Sequence, residues 1–275
     1  MKSEICYSDL PLLMRNIEGN VDVLIENGAE KIELLMDGER WNDMELLFAS
    51  LAPKLKEKAV GYTVHPPAWD TNLTSENKAI RSASFSEYKK AIEFAGLIQA
   101  SHVVIHPGFC FSPVFNRELA KQRAFEAIGE LCEVARPLQV KLAVENVGYN
   151  GESLFTQEEF ISFLDSLDDT AGYLLDVGHA HLNDWDIPAV IKAIGDRLLA
   201  VHLHDNKGNA DDHLPIGEGT IEWEPIFETL REYTKECQLI LEYAPGTSLD
   251  ALREGKELLK KELQLKKADL LVDPY

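Results

Sequence analysis

The chain has 275 residues, an apolar fraction of 45% and no apolar run of the ~18 residues a membrane span requires, so a globular chain with a sizeable core is expected. Lys and Arg number 27 against 47 Asp and Glu, a formal charge of −20. Duplex nucleic acid binders draw most of their affinity from basic residues that displace counterions, so such a partner is disfavoured, though a local basic rim would escape this count.

Short apolar runs alternate with amphipathic stretches along the chain. The predicted strands are EICYS (4–8), KIELLM (31–36), AVGYTVH (59–65), HVVIH (102–106), KLAVENV (141–147), GYLLDV (172–177), LLAVHLH (198–204) and LILEYA (239–244). Between them lie helical patterns with apolar spacings of three and four, such as LPLLMRNIEGNVDVLIENG, FSEYKKAIEFAGLIQA and NRELAKQRAFEAIGELCEVAR. Gly28 reads as a helix C-cap, and Pro137 stops another helix. Eight strand-then-helix units with near-continuous apolar strands predict parallel strands covered by helices. The count of eight, with no Rossmann phosphate loop, favours a closed (β/α)8 TIM barrel of the α/β class as one domain over 1–275. A last helix near 248–266 would lead into a short tail at about 267–275. The opening MKSEICYSDLPLLMRN lacks the unbroken apolar stretch of a signal peptide. Cys6, Cys110, Cys132 and Cys237 lack CxxC spacing and read as thiols of a reducing cytosol, so a cytoplasmic location without a membrane is expected.

Nine residues of metal-binding type sit near the ends of the last six strands: His65, His106, Glu145, Asp176, His179, His202, Asp211, His213 and Glu242. Desolvating an unpaired ionisable group costs several kcal/mol, so a chain that repeatedly ends a buried strand in one implies a shared polar centre. Barrels of this kind carry their reactive groups at the C-terminal strand ends. Strand alternation puts Thr63 with His65, Val104 with His106, Ala143 with Glu145, Leu174 with Asp176, and Ile240 with Glu242 on the inward face; His202 and His204 share a face, with Leu203 pointing outward. One strand-end histidine is more often a hydrogen-bonded structural residue, the reading for His102 and His181; the joint pattern points to a divalent cation.

The ordered set HPPAWDTNL, VVIHPG, LAVENVG, LLDVGHAH, VHLHDNKG, DDHLPIGEG and LILEYAP resembles the xylose isomerase-like TIM barrel superfamily over most of the chain. That superfamily includes sugar isomerases and epimerases together with endonuclease IV, of AP endonuclease family 2. The resemblance to the epimerases implies one metal on Glu145, Asp176, His202 and Glu242, with His179 at the substrate. The resemblance to endonuclease IV adds His65, His106, Asp211 and His213 and implies a three-zinc cluster. Trp69 and Asn72 in the first motif, with His204 and Lys207, are expected at the substrate. Lys207 is either a phosphate contact or an exposed loop lysine. Two departures stand out: His213 replaces an Arg common in sugar epimerases, and Val177-Gly178 replaces the Thr-Cys or Ser-Cys pair of the repair enzymes.

The expectation is therefore an isomerase or epimerase of a sugar or sugar phosphate that uses one to three Zn2+ or Mn2+ ions. A metal-stabilised enediolate would form between the catalytic residues Glu145 and Glu242. The alternatives are a two- or three-zinc phosphodiesterase and a non-catalytic metal-binding barrel. The expected partner is a small carbohydrate, and a homo-oligomer is left open.

Overall fold

The computed structural model describes residues 4–13, 16–42, 44–234 and 236–264. Its strands are β1 (Glu4–Ser8), β2 (Lys31–Leu35), β3 (Gly61–His65), β4 (His102–Ile105), β5 (Lys141–Glu145), β6 (Ala171–Asp176), β7 (Leu198–Leu203) and β8 (Gln238–Leu241). All neighbours pair in parallel, and β8 returns to β1 to close the barrel in sequence order. Covering helices are α1 (Ile17–Glu26), α2 (Met44–Lys56), α3 (Lys78–Ile98), α4 (Arg117–Ala135), α5 (Gln157–Phe163), α6 (Val177–Leu182), α7 (Ile187–Ile194), α8 (Trp223–Tyr233) and α9 (Leu249–Glu262). This is the eightfold barrel expected from the strand count.

The strands are buried on both faces because their alternate residues meet different surroundings. Ile32, Leu34, Val103, Ile105, Leu142, Val144, Val201, Leu203, Leu239 and Leu241 pack outward in one continuous core with the helices. Cys6, Val104, Ala143, Leu174, Ala200 and Ile240 form a separate cluster inside the barrel. The inward alternation drawn from sequence holds at Val104, Ala143, Leu174 and Ile240. It also sets the site, because the next inward position, at or just past the end of each of those strands, is His106, Glu145, Asp176 or Glu242.

Element ends differ from the sequence pattern where caps decide them. The pattern beginning at Leu10 divides: Leu10–Leu12 is one 3-10 turn, and α1 starts at Ile17, where Asn16 accepts from the Gly19 N–H at 3.0 Å. Helix α3 begins at Lys78, before the recognised FSEYKK pattern, because Asn77 caps Ala79 and the first turns are largely solvent-facing. Gly28 follows α1 with φ +90°, as a C-terminal glycine should. The expected tail at 267–275 lies outside the described residues, and among the described residues no helix is long and apolar enough to cross a membrane.

Candidate metal centre

The C-terminal mouth is built from residues at or just past the ends of β3 to β8 and from two loops. Asp176, the last residue of β6, also caps α6: its Oδ1 accepts from the His179 N–H at 2.6 Å, which turns the His179 ring back over the barrel. Asn146 locks that corner from β5, donating to the Asp176 carbonyl at 2.9 Å and accepting the Asp176 N–H at 2.7 Å. The β7–α8 loop is organised by Asp205, wholly buried, which accepts from the N–H groups of Asn206, Gly217 and Ile221 and from Trp223 Nε1. A side chain at Gly219 would collide with Asp205, so the Gly-x-Gly of DDHLPIGEG closes this turn. The loop is pinned by an antiparallel bridge between Asp205 and Leu214, and His213 sits at φ +48°, a left-handed conformation uncommon for a side-chain-bearing residue.

His202 is the centre of the arrangement and is wholly buried. Its Nδ1 lies 3.3 Å from Glu242, 3.6 Å from Glu145 and 3.6 Å from Asp176, and it has no hydrogen-bond partner. Its Nε2 faces Glu33, 3.3 Å away. On one flank His106 Nε2 meets Glu145 at 3.1 Å, His65 Nε2 stands 3.9 Å from the same oxygen, and His65 Nδ1 is held by the Pro66 carbonyl at 2.8 Å. On the other flank Asp211 receives His179 Nε2 at 3.2 Å and His213 Nε2 at 3.0 Å. All nine residues marked by the sequence converge on the mouth.

Charge is shared unevenly. Burial raises Glu145 and Asp176, but neighbouring imidazoles outweigh it: His106 and His202 hold Glu145 well below the ordinary carboxylate value, and His179 and His204 do the same for Asp176. Burial pushes Glu242 up to about 8, only partly opposed by His202 and His213. Burial also disfavours charge on His202, yet Glu242, Glu33 and Glu145 raise its pKa well above the usual imidazole value. His213 is likewise opposed by burial but raised to about 9, chiefly by its Asp211 hydrogen bond. His65 goes the other way, down to about 4, through burial and the nearby His106.

This donor set fits a divalent cation. An unpartnered imidazole nitrogen surrounded by three carboxylates mixes nitrogen and oxygen in the way Zn2+ and Mn2+ accept. Donor atoms lie within reach of one another in four groups: Glu145–Asp176–His202, Glu33–His202–Glu242, His65–His106–Glu145 and His204–His213–Glu242.

The expected substrate contacts are placed less uniformly. His204 is wholly buried beneath the mouth, bonded to Asp176 Oδ2 at 3.0 Å and stacked on His213 with 3.9 Å between ring centroids, so its contact is with the cluster. Asn72 is occupied as a clip between loops: its Oδ1 accepts from Thr74 and from the Phe109 N–H, and its Nδ2 donates to the Phe109 carbonyl. Trp69 is 63% exposed on the β3–α3 loop, and Lys207 is exposed, with its backbone N–H donating to Asp212. His102 is a buried interior residue at the base of β4, and His181 bonds Thr220 at 3.1 Å. Glu33 was missed from sequence; its signal was an acid in the middle of the apolar strand KIELL, in register with the inward Thr63.

A family profile for the xylose isomerase-like TIM barrel matches residues 21–262. The chain belongs to that family. The chain is 26% identical over 272 residues to MJ1311, an uncharacterised protein of Methanocaldococcus jannaschii, covering 94% of this chain and 88% of that protein. It is 27% identical over 161 residues to the L-ribulose-5-phosphate 3-epimerase UlaE of Escherichia coli O157:H7, covering 58% of this chain and 56% of UlaE. The crystal structure of a D-tagatose 3-epimerase-like protein superposes with a TM-score of 0.80 at 24% identity, covering 95% of this chain and 97% of the other. An IolI protein structure with a bound zinc atom superposes with a TM-score of 0.79 at 19% identity, covering 95% and 98%. These two likenesses show the shared fold.

Proposed function

We propose that this protein is a cation-dependent isomerase or epimerase of a small sugar or sugar phosphate. The observation that carries the reading is the convergence of Glu145, Asp176 and Glu242 on the unpartnered Nδ1 of His202. The epimerases among its relatives and structural neighbours support the same class. A Zn2+ or Mn2+ ion held by these four residues would supply Lewis acidity to adjacent carbonyl and hydroxyl oxygens, making the neighbouring C–H more acidic.

The chain's own groups supply the proton handling. Glu145 from β5 and Glu242 from β8 enter from different sides of the barrel, so one takes the proton from carbon and the other returns it to the opposite face. The two carboxyls are already inequivalent, one held low by imidazoles and the other raised by burial, the pattern expected of a base and acid pair. His179, held between Asp176 and Asp211, donates to a substrate hydroxyl and fixes its orientation. Phe109 packs edge-on against His106 on that side of the mouth.

The test is solvent exchange. Protein loaded with Zn2+ or Mn2+ is incubated in D2O with ketopentoses, ketohexoses and their phosphates, and deuterium beside the carbonyl is followed by NMR together with any new epimer. Exchange with at least one substrate is expected; none across the panel would overturn the reading.

A second reading, a phosphodiesterase of endonuclease IV type, is favoured by the two flanking groups, which bring in His65, His106, Asp211 and His213. Against it stands the packing under α6. A side chain at Gly178 would lie 2.1 Å from the His204 ring, so the cysteine of the repair enzymes cannot fit here while His204 keeps its place. Cleavage of an abasic-site oligonucleotide by the zinc-loaded protein would favour this second reading.

A further inference from the structure

We propose that Glu33 is a positioning residue for the cation site: it takes the Nε2–H of His202 and so commits the His202 Nδ1 lone pair to the cation. The proposal rests on the cation-dependent reading above. Glu33 lies on β2, the one strand among β2 to β8 to which the sequence reading assigned no metal-binding residue, and it is wholly buried. Both of its carboxylate oxygens stand 3.3 Å from His202 Nε2, and Oε2 also accepts from Thr63 Oγ1 at 3.3 Å. Its surroundings inside the barrel include Cys6, which lies close enough for the carboxylate to raise its thiol pKa further after burial has done so.

A carboxylate in this position is costly unless it has a task. The interior of the barrel carries an apolar cluster of Cys6, Val104, Ala143, Leu174, Ala200 and Ile240, and a buried carboxylate there bears a desolvation cost that an apolar residue would not. The two nitrogens of His202 see different partners: Nε2 has Glu33 beneath it, whereas Nδ1 has three carboxylates and no hydrogen bond. An imidazole can present a lone pair at one nitrogen only when the other carries the proton, and a carboxylate behind the ring sets which nitrogen that is. Thr63 holds the carboxylate itself in turn. A chain of fixed contacts thus runs from Thr63 through Glu33 to His202.

The test measures Zn2+ affinity by competition with a chelating dye, with the His202 Nε2–H read by NMR of histidine-labelled, Zn2+-loaded protein and its signal identified by loss in His202→Gln. Glu33→Ala should weaken Zn2+ binding about 10- to 100-fold and shift the Nε2–H signal as its hydrogen bond is lost. Glu33→Gln keeps an acceptor oxygen for Nε2–H and should recover most of the affinity and of the wild-type signal. Thr63→Val, a milder change that keeps the experiment informative if the Glu33 variants do not fold, should weaken Zn2+ binding about threefold. Wild-type affinity in Glu33→Ala or Thr63→Val would overturn the proposal. Equal losses in Glu33→Ala and Glu33→Gln would also overturn it, because an amide does not replace a carboxylate that binds the ion itself. Failure of the wild-type protein to bind Zn2+ at all would instead sink the cation-dependent reading, so the two failures are distinguishable.

Discussion

The centre of the barrel mouth and its β3–β4 flank use the same residue types under different constraints. At the centre, three carboxylates surround one nitrogen of a wholly buried histidine whose other nitrogen is held from below. On the flank, His65 and His106 meet edge to face at 4.9 Å and share the single carboxylate of Glu145. The surplus of acid at the centre raises His202, whereas burial and a neighbouring imidazole depress His65 to about 4. Negative charge concentrated in a dry place attracts a cation strongly, and a flank where two imidazoles share one carboxylate offers it less negative charge. A cation is therefore expected first at the centre, with the flank filling later or serving only to orient Glu145.

The largest effect should come from the centre. Glu145→Gln is expected to lower solvent exchange on carbon by about 10³-fold, measured by NMR at saturating cation, because it removes a proton-transfer group. Cation removal should come next. At a free concentration of about 100 times Kd, a bound ion contributes roughly 2.7 kcal/mol, so stripping it with a chelator should lower Tm by roughly 5–10 °C in calorimetry.

A third prediction concerns pH. Glu242 and His213 both hold protons more tightly folded than unfolded, with values raised from 4.5 to about 8 and from 6.5 to about 9. The stability they contribute is complete at low pH and is lost as pH rises, for Glu242 between 4.5 and 8 and for His213 between 6.5 and 9. His65, depressed to about 4, has given its full contribution by pH 6.5. The Tm of chelator-treated protein should therefore fall from pH 6.5 to pH 9, and the cation-loaded protein should resist that fall, because the ion replaces the protons.

On the flank, His65→Ala should leave exchange within about threefold of wild type and zinc content unchanged if the ion sits only at the centre. Loss of one zinc per chain by elemental analysis, together with loss of activity, would show that centre and flank act as one polynuclear site. The smallest effect is expected at the rim. Lys207→Ala should raise KM for a phosphorylated ketose by a few fold and leave the free sugar unaffected if the exposed ammonium meets phosphate.

Much of this molecule was legible in its sequence because a barrel strand repeats every two residues. Once KLAVE and GYLLD were read as parallel strands, Glu145 and Asp176 had to face inward at the same end as His106 and His202, and the covered strands had to be apolar on their outer faces. Identity of residue type and position along the strand were enough for that, since both are local properties. What the sequence could not assign was the partner of each group. Glu33 looked like one acid in an apolar run until β7 brought His202 against it, 169 positions away in the chain. His204 and Asn72 carried the chemistry of substrate contacts, yet packing turned one under Asp176 and gave the other to the Phe109 loop. Gly178 showed only as a departure from a related motif until the His204 ring was seen to fill the space above it. Strand periodicity decides which face a side chain takes; closure of the barrel alone decides which two side chains meet, because that distance depends on every strand between them.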